Sequence, residues 1–172
     1  MRRVASAQQL PDFSALFARD KVSRLHLRIR HDSNYPHDIA FLSGYLHDAR
    51  LTPHQIVRRG KKLVIPLQRD CWELGITDHP GSCELPTAKA RLLISPVSSM
   101  QWEIQDIARM QEELWLESIY LGPIHWEAEE VSELVISGRH QGWKLRVSIA
   151  DDFGEIRLDD LELPYLWSAR NP

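Results

Sequence analysis

Within SRLHLRIR at 23–30, polar and apolar side chains alternate without a break from Arg24 to Arg30. Leu25, Leu27 and Ile29 fall on one side, and Arg24, His26, Arg28 and Arg30 on the other. A period of two marks a strand with one buried face; a helix turns successive side chains by about 100° and cannot satisfy it. The alternation returns in KLVIPLQ, ARLLISPV, MQWEIQDI, WLESIYL, ELVISG, WKLRVSIA and GEIRLDDLEL, with Gly, Pro or Asp clusters between most of them. The expected architecture is α+β, a largely antiparallel sheet of roughly seven to nine short strands joined mainly by hairpins.

Two segments follow a different rhythm. Ile39, Leu42, Leu46 and Ala49 recur at spacings of three and four, with Phe41 and Tyr45 widening the stripe, which predicts a helix over about 36–49 packed on the sheet. Pro36 suits its first turn. PDFSALFARD at 11–20 predicts a short N-terminal helix on the strength of Phe13, Leu16 and Phe17, while QDIARMQEEL near 105–114 fits a helix or a strand end equally. One internal echo stands out: KLVIPLQRD at 62–70 and KLRVSIADD at 144–152 share the form Lys-Leu-x-aliphatic-x-aliphatic-x-x-Asp, each after a Gly-containing turn. A duplicated hairpin unit, about 56–70 and 134–152, would produce it.

The 172 residues are enough for one domain, 1–172, with a core of its own, and 43% hydrophobic with 26% charged residues is the balance of a soluble globular protein. No run approaches the roughly 18 apolar residues needed to cross a bilayer, and the opening MRRVASAQQLPDF carries no apolar stretch behind its arginines, so a cytoplasmic protein without membrane contact is expected. Charge is unevenly placed. Residues 1–62 hold 12 Lys/Arg against 5 Asp/Glu, and residues 63–172 hold 9 against 19. With a net charge of only −3, internal pairing is the better expectation than nucleic-acid binding. Nucleic acid would use Arg24, Arg28, Arg30, Arg58 and Arg59.

Chemistry concentrates in HDSNYPHDIAFLSGYLHDAR, residues 31–50, which holds His-Asp three times. His31, Asp32, His37, His47 and Asp48 are the candidates for a metal-dependent hydrolytic site, with His54 nearby. Against this, neighbours on a helix point to different sides, and helical phase puts His47 toward water. A helical phosphohydrolase family is named for such a pair, but it gathers its ligands on an all-helical fold, and a chain of strands excludes that kinship. Cys71, His79 and Cys83 are spaced C-x7-H-x3-C, with Asp78 a possible fourth ligand, but the short C-x-x-C knuckle of zinc sites is missing. No metal or other cofactor is expected, and both cysteines are expected to stay reduced. Neither a nucleophile elbow nor a phosphate-binding glycine loop is present. Among six tryptophans, Trp102 and Trp143 share the phase of apolar neighbours, whereas Trp72 and Trp126 sit in polar surroundings and are candidates for a binding surface, together with Arg24, Arg28 and Arg30.

The run GYLHDARLTPHQIVRRGKKLVIPL, residues 44–67, resembles the opening of several uncharacterised small bacterial α+β families, some of them similar to immunity proteins of toxin systems. The resemblance implies a non-enzymatic protein that binds another protein or itself. In it, Leu46-His47-Asp48-Ala49 is architectural, with Asp48 a structural turn residue accepting backbone hydrogen bonds. Independently of the resemblance, a carboxylate at a helix C-terminus opposes the dipole, so pairing of Asp48 with Arg50 or Arg58 is the other role expected of it.

Overall fold

The structure is a computed structural model of the 172-residue chain, and it describes residues 24–30, 35–74, 77–79, 82–122, 132–138, 141–149 and 154–165. The helix expected at 11–20 lies outside these residues. Among them one α-helix, α1 (Tyr35–Leu46), accompanies thirteen strands. These are β1 (His26–Ile29), β2 (Arg50–Leu51), β3 (Val57–Arg59), β4 (Lys62–Asp70), β5 (Thr77–His79), β6 (Ser82–Glu84), β7 (Thr87–Ser95), β8 (Val97–Ile104), β9 (Leu114–Trp115), β10 (Ser118–Leu121), β11 (Ser132–Gly138), β12 (Trp143–Ile149) and β13 (Glu155–Asp160). The sheet-dominated α+β expectation holds, but the strand count exceeds it. β2, β3, β5, β6 and β9 have two or three residues each, too few for alternation to register.

Every pairing is antiparallel. One sheet runs β1-β13-β7-β4-β2-β9, with β3 also on β4; a second runs β10-β11-β12-β8; β5 and β6 form a separate ribbon. Pro66, in the middle of β4, falls between the residues that pair with β3 and those that pair with β2. A residue without an N–H is best placed where the ladder already has a gap. Both members of the internal echo are second strands of hairpins, β3–β4 and β11–β12, and each hairpin turns through a glycine of positive φ, Gly60 at 59° and Gly142 at 68°.

One apolar core joins the two large sheets and α1. Ile29, Ile156, Leu92 and Ile65 come from the first sheet, Ile119, Ile136, Leu145 and Val147 from the second, and Ile39, Leu42 and Leu46 from the helix. Each such side chain contributes about 1.5–3 kcal/mol by leaving water. The helical stripe is buried as its spacing requires, with Ala49 just beyond the last turn. Along residues 24–30, which include β1, Leu25 and Ile29 are buried and Leu27 is half-buried, while Arg24, Arg28 and Arg30 are exposed. The charge imbalance between the two parts of the chain is met partly inside the fold, since Arg28 pairs with Glu155 at 2.5 Å and His26 Nδ1 lies 3.1 Å from Asp159. The segment near 105–114 resolves into a 3-10 turn, Ile107–Gln111, capped by the Asp106 carboxylate.

Candidate functional site

The chemistry of this chain gathers where α1 ends. The helix stops at Leu46, and Asp48 takes a left-handed conformation, φ 63°. Left-handed geometry is uncommon outside glycine, and Asp is among the residues that tolerate it. The turn is stapled in place by main-chain bonds: Asp48 N–H donates to the Leu116 carbonyl at 2.8 Å, and Leu116 N–H returns to Ala49 at 2.7 Å. One turn earlier, Ser43 Oγ accepts the Ile119 N–H at 3.0 Å, which fastens the helix to the edge of β10. The Trp72 indole donates to the His47 carbonyl at 3.0 Å, and its ring meets the imidazole edge-on.

This geometry revises the helical-phase argument. His47 is exposed, as phase requires, but Asp48 lies beyond the helix, so its side chain is free to swing back. His47 Nδ1 sits 3.0 Å from Asp48 Oδ2. The role expected of Asp48 in the turn falls to its main chain. Arg50 instead pairs with Asp70 at 3.4 Å and covers the Trp115 ring, and Arg58 donates to the carbonyls of Gly60, Val97 and Ser98.

His47 and Asp48 form one wall of an open groove of about 820 Å³. Its floor is a cross-strand row: Ser118 on β10 stands opposite Ser137 on β11, which stands opposite Lys144 on β12. The two hydroxyls are 2.9 Å apart. Glu117 and Tyr120 complete the rim, and a second groove of about 460 Å³, along Ile104, Gln105 and Trp143, shares Lys144 with the first. Donors and acceptors of both charge signs therefore line one open surface. Glu117, Ser118, Tyr120, Ser137 and Lys144 were not among the sequence candidates, because neighbours across strands are visible only once register is known.

The other candidates do not join it. His31, Asp32 and Trp126 lie outside the described residues, as do the side chains of Asp78, His79 and Cys83. His37 is exposed in the first turn of α1, ten residues before His47 and so about 15 Å away along the axis. His54 is exposed on the 3-10 turn Pro53–Gln55. Cys71 is a buried free thiol, and burial pushes its pKa up to about 12. Among the described residues, no three His, Cys, Asp or Glu side chains come together to hold a metal ion. No described helix is long and apolar enough to cross a membrane.

A second concentration of charge is sealed from water. Arg69, at the end of β4, donates Nε and Nη2 to Asp160 on β13 at 2.7 and 2.8 Å. Nη1 and Nη2 reach Glu73 at 3.0 and 2.6 Å. Asp160 also accepts the Leu25 N–H at 2.7 Å, and the Tyr45 ring lies 6.0 Å from the guanidinium. All three charged side chains are buried. Burial alone would lower the arginine pKa, but its bonds to Asp160 and Glu73 outweigh burial and raise it. Doubly forked pairing of this kind fixes β4, β13 and the turn Trp72–Leu74 to one another, and offers nothing to a ligand.

Comparison with protein-family models, curated proteins and solved structures returns no match to this chain.

Proposed function

We propose that the chain is a cytoplasmic, non-enzymatic protein-binding module that holds its partner in the groove at the end of α1. The observation that carries this reading is the lining of the groove. A hydroxyl and ammonium floor, faced by an imidazole and two carboxylates and open along one side, suits a polar polypeptide segment, whose amides need donors and acceptors together. The turn that presents His47 and Asp48 is held by main-chain bonds to the β9–β10 link, which lowers the ordering cost of binding. In the terms of the resemblance to bacterial immunity-like proteins, the partner would be a toxin protein.

The test uses affinity capture from cell extract with the intact protein, followed by titration of the purified partner against wild type, Lys144→Glu and Tyr120→Ala. Binding should weaken at least tenfold in both variants, about 1.4 kcal/mol each. Unchanged affinity in both would remove the groove from the reading. A metal-dependent hydrolase using residues 31–54 is the second reading, favoured by the 3.0 Å approach of His47 to Asp48. It predicts that His47→Ala abolishes zinc- or manganese-supported ester or phosphodiester hydrolysis while partner binding persists. Nucleic-acid contact is less favoured, because Arg28 is engaged by Glu155 and Arg58 by main-chain carbonyls.

A further inference from the structure

The four-stranded sheet has two edges, and they are treated differently. The β10 edge is taken up by α1 through Ser43. Among the described residues, the β8 edge is closed only where it starts: Arg58 covers the carbonyls of Val97 and Ser98, and the Val97 N–H goes to the Lys61 carbonyl at 2.8 Å. A register shift opposite Ser148 and Ile149 marks the same point. Beyond it, Gln105 N–H bonds Gly142 on the β12 side, which sets the phase of the ladder. Odd-numbered residues near this end turn their main-chain groups toward β12, so Met100, Trp102 and Ile104 turn theirs outward. No described residue bonds those groups.

An open edge of this kind is normally blunted by lysine, proline or inward charge, and VSSMQWEI has none of the three. Its single charge, Glu103, is matched by Arg146 at 2.5 Å. Met100, Trp102 and Ile104 pack against the core yet stay partly exposed. The other edges of the large sheets fit a strand less well. β1 displays His26 and Arg28, and two-residue β9 has its Trp115 N–H taken by Gln141 at 2.6 Å.

We propose that a second copy of this chain pairs antiparallel along β8, across a two-fold axis at Trp102, to give a continuous eight-stranded sheet. A two-fold strand pair must be self-complementary. Outward-facing residues must oppose one another, and Arg58 blocks the start of the strand, so the free stretch centres on Trp102. In that register Met100 bonds with Ile104 of the second copy, the two indoles meet on one face, and Gln101 stands opposite Glu103. No like charges face each other. This contact is separate from the groove and does not depend on it.

Sedimentation equilibrium of the intact chain should give twice the monomer mass at micromolar concentrations. Met100→Pro removes an N–H that β12 does not use, a place where an edge strand accepts proline, and should give a folded monomer by circular dichroism and sedimentation. Register is read independently. Gln101→Cys mixed with Glu103→Cys should form an intermolecular disulfide under mild oxidation, because non-hydrogen-bonded partners bring Cα atoms to about 4.5 Å. Each variant alone should cross-link little. A wild type that stays monomeric at all concentrations, a dimer that survives Met100→Pro, or equal cross-linking by the single variants would each overturn the proposal.

Discussion

Two residues carry constraints that their types alone do not reveal. Arg69 is enclosed by Glu73 and Asp160 with none of the three in water. Replacing it by methionine keeps most of the volume but leaves two buried carboxylates without a counter-charge, which should cost about 3–5 kcal/mol in urea unfolding. Adding Glu73→Met and Asp160→Asn to that variant should restore at least about 1 kcal/mol, since the uncompensated charge, not the lost packing, dominates the penalty. If the triple variant is less stable than Arg69→Met alone, the cluster is held chiefly by shape. Asp48 is the second case. With φ 63°, the position strains alanine by about 1–2 kcal/mol and glycine hardly at all, so Asp48→Gly should melt well above Asp48→Ala. The glycine variant then serves the groove: a folded protein whose partner binding is weakened assigns the carboxylate to recognition, and undiminished binding assigns Asp48 to the turn alone.

At the scale of elements, period-two alternation is the signal that travelled furthest from sequence to structure. It placed β4, β7, β12 and β13, and its phase also contained the buried cluster: Leu63, Ile65 and Leu67 point inward on β4, and Arg69 follows in step, as Asp160 follows Ile156 and Leu158 on β13. The triad itself is not legible in either strand, because Arg69 and Asp160 are 91 residues apart and meet only once β4 and β13 are joined through β7. The groove was less legible for a different reason. Ser118, Ser137 and Lys144 are adjacent only through the registers of β10 with β11 and β11 with β12, and no local pattern encodes either. Helical phase was sound up to Leu46 and failed at Asp48, where the helix had ended. The attachment of α1 to β10 gives a check at this scale. Ser43→Ala deprives the Ile119 N–H of its acceptor and should cost about 1–2 kcal/mol, with faster hydrogen exchange at the Ile119 amide and at its neighbours on β10.

Across the whole molecule, the unequal charge of the two parts of the chain becomes a set of pairs that link its beginning to its end. On the outer face of the first sheet, Asp159 on β13 accepts from Arg91 on β7 and from Arg157 beside it, and His26 of β1 lies against its other oxygen. Burial opposes ionisation of this carboxyl, but the His26 ring and the two guanidiniums outweigh burial and hold its pKa below the ordinary carboxylate value. A carboxyl depressed in the folded state binds fewer protons folded than unfolded, so its contribution is fully present above the unfolded pKa, about 3.9, and is lost as pH falls through the lower folded value. Asp70 runs the other way: burial raises its pKa, only partly offset by Arg50, so protonation there relieves the folded state as the medium turns acid. The two substitutions should therefore bend the pH profile oppositely. Unfolding free energy measured in urea from pH 6 down to pH 2.5 should fall steeply below about pH 4 for wild type and less steeply for Asp159→Asn, which starts from a lower value. Asp70→Asn, by contrast, should fall more steeply than wild type, because the relieving protonation has been removed. Parallel profiles for all three proteins would mean that the charges around Asp159 contribute nothing to acid stability and that β1, β7 and β13 are linked by their main-chain ladder and apolar packing alone.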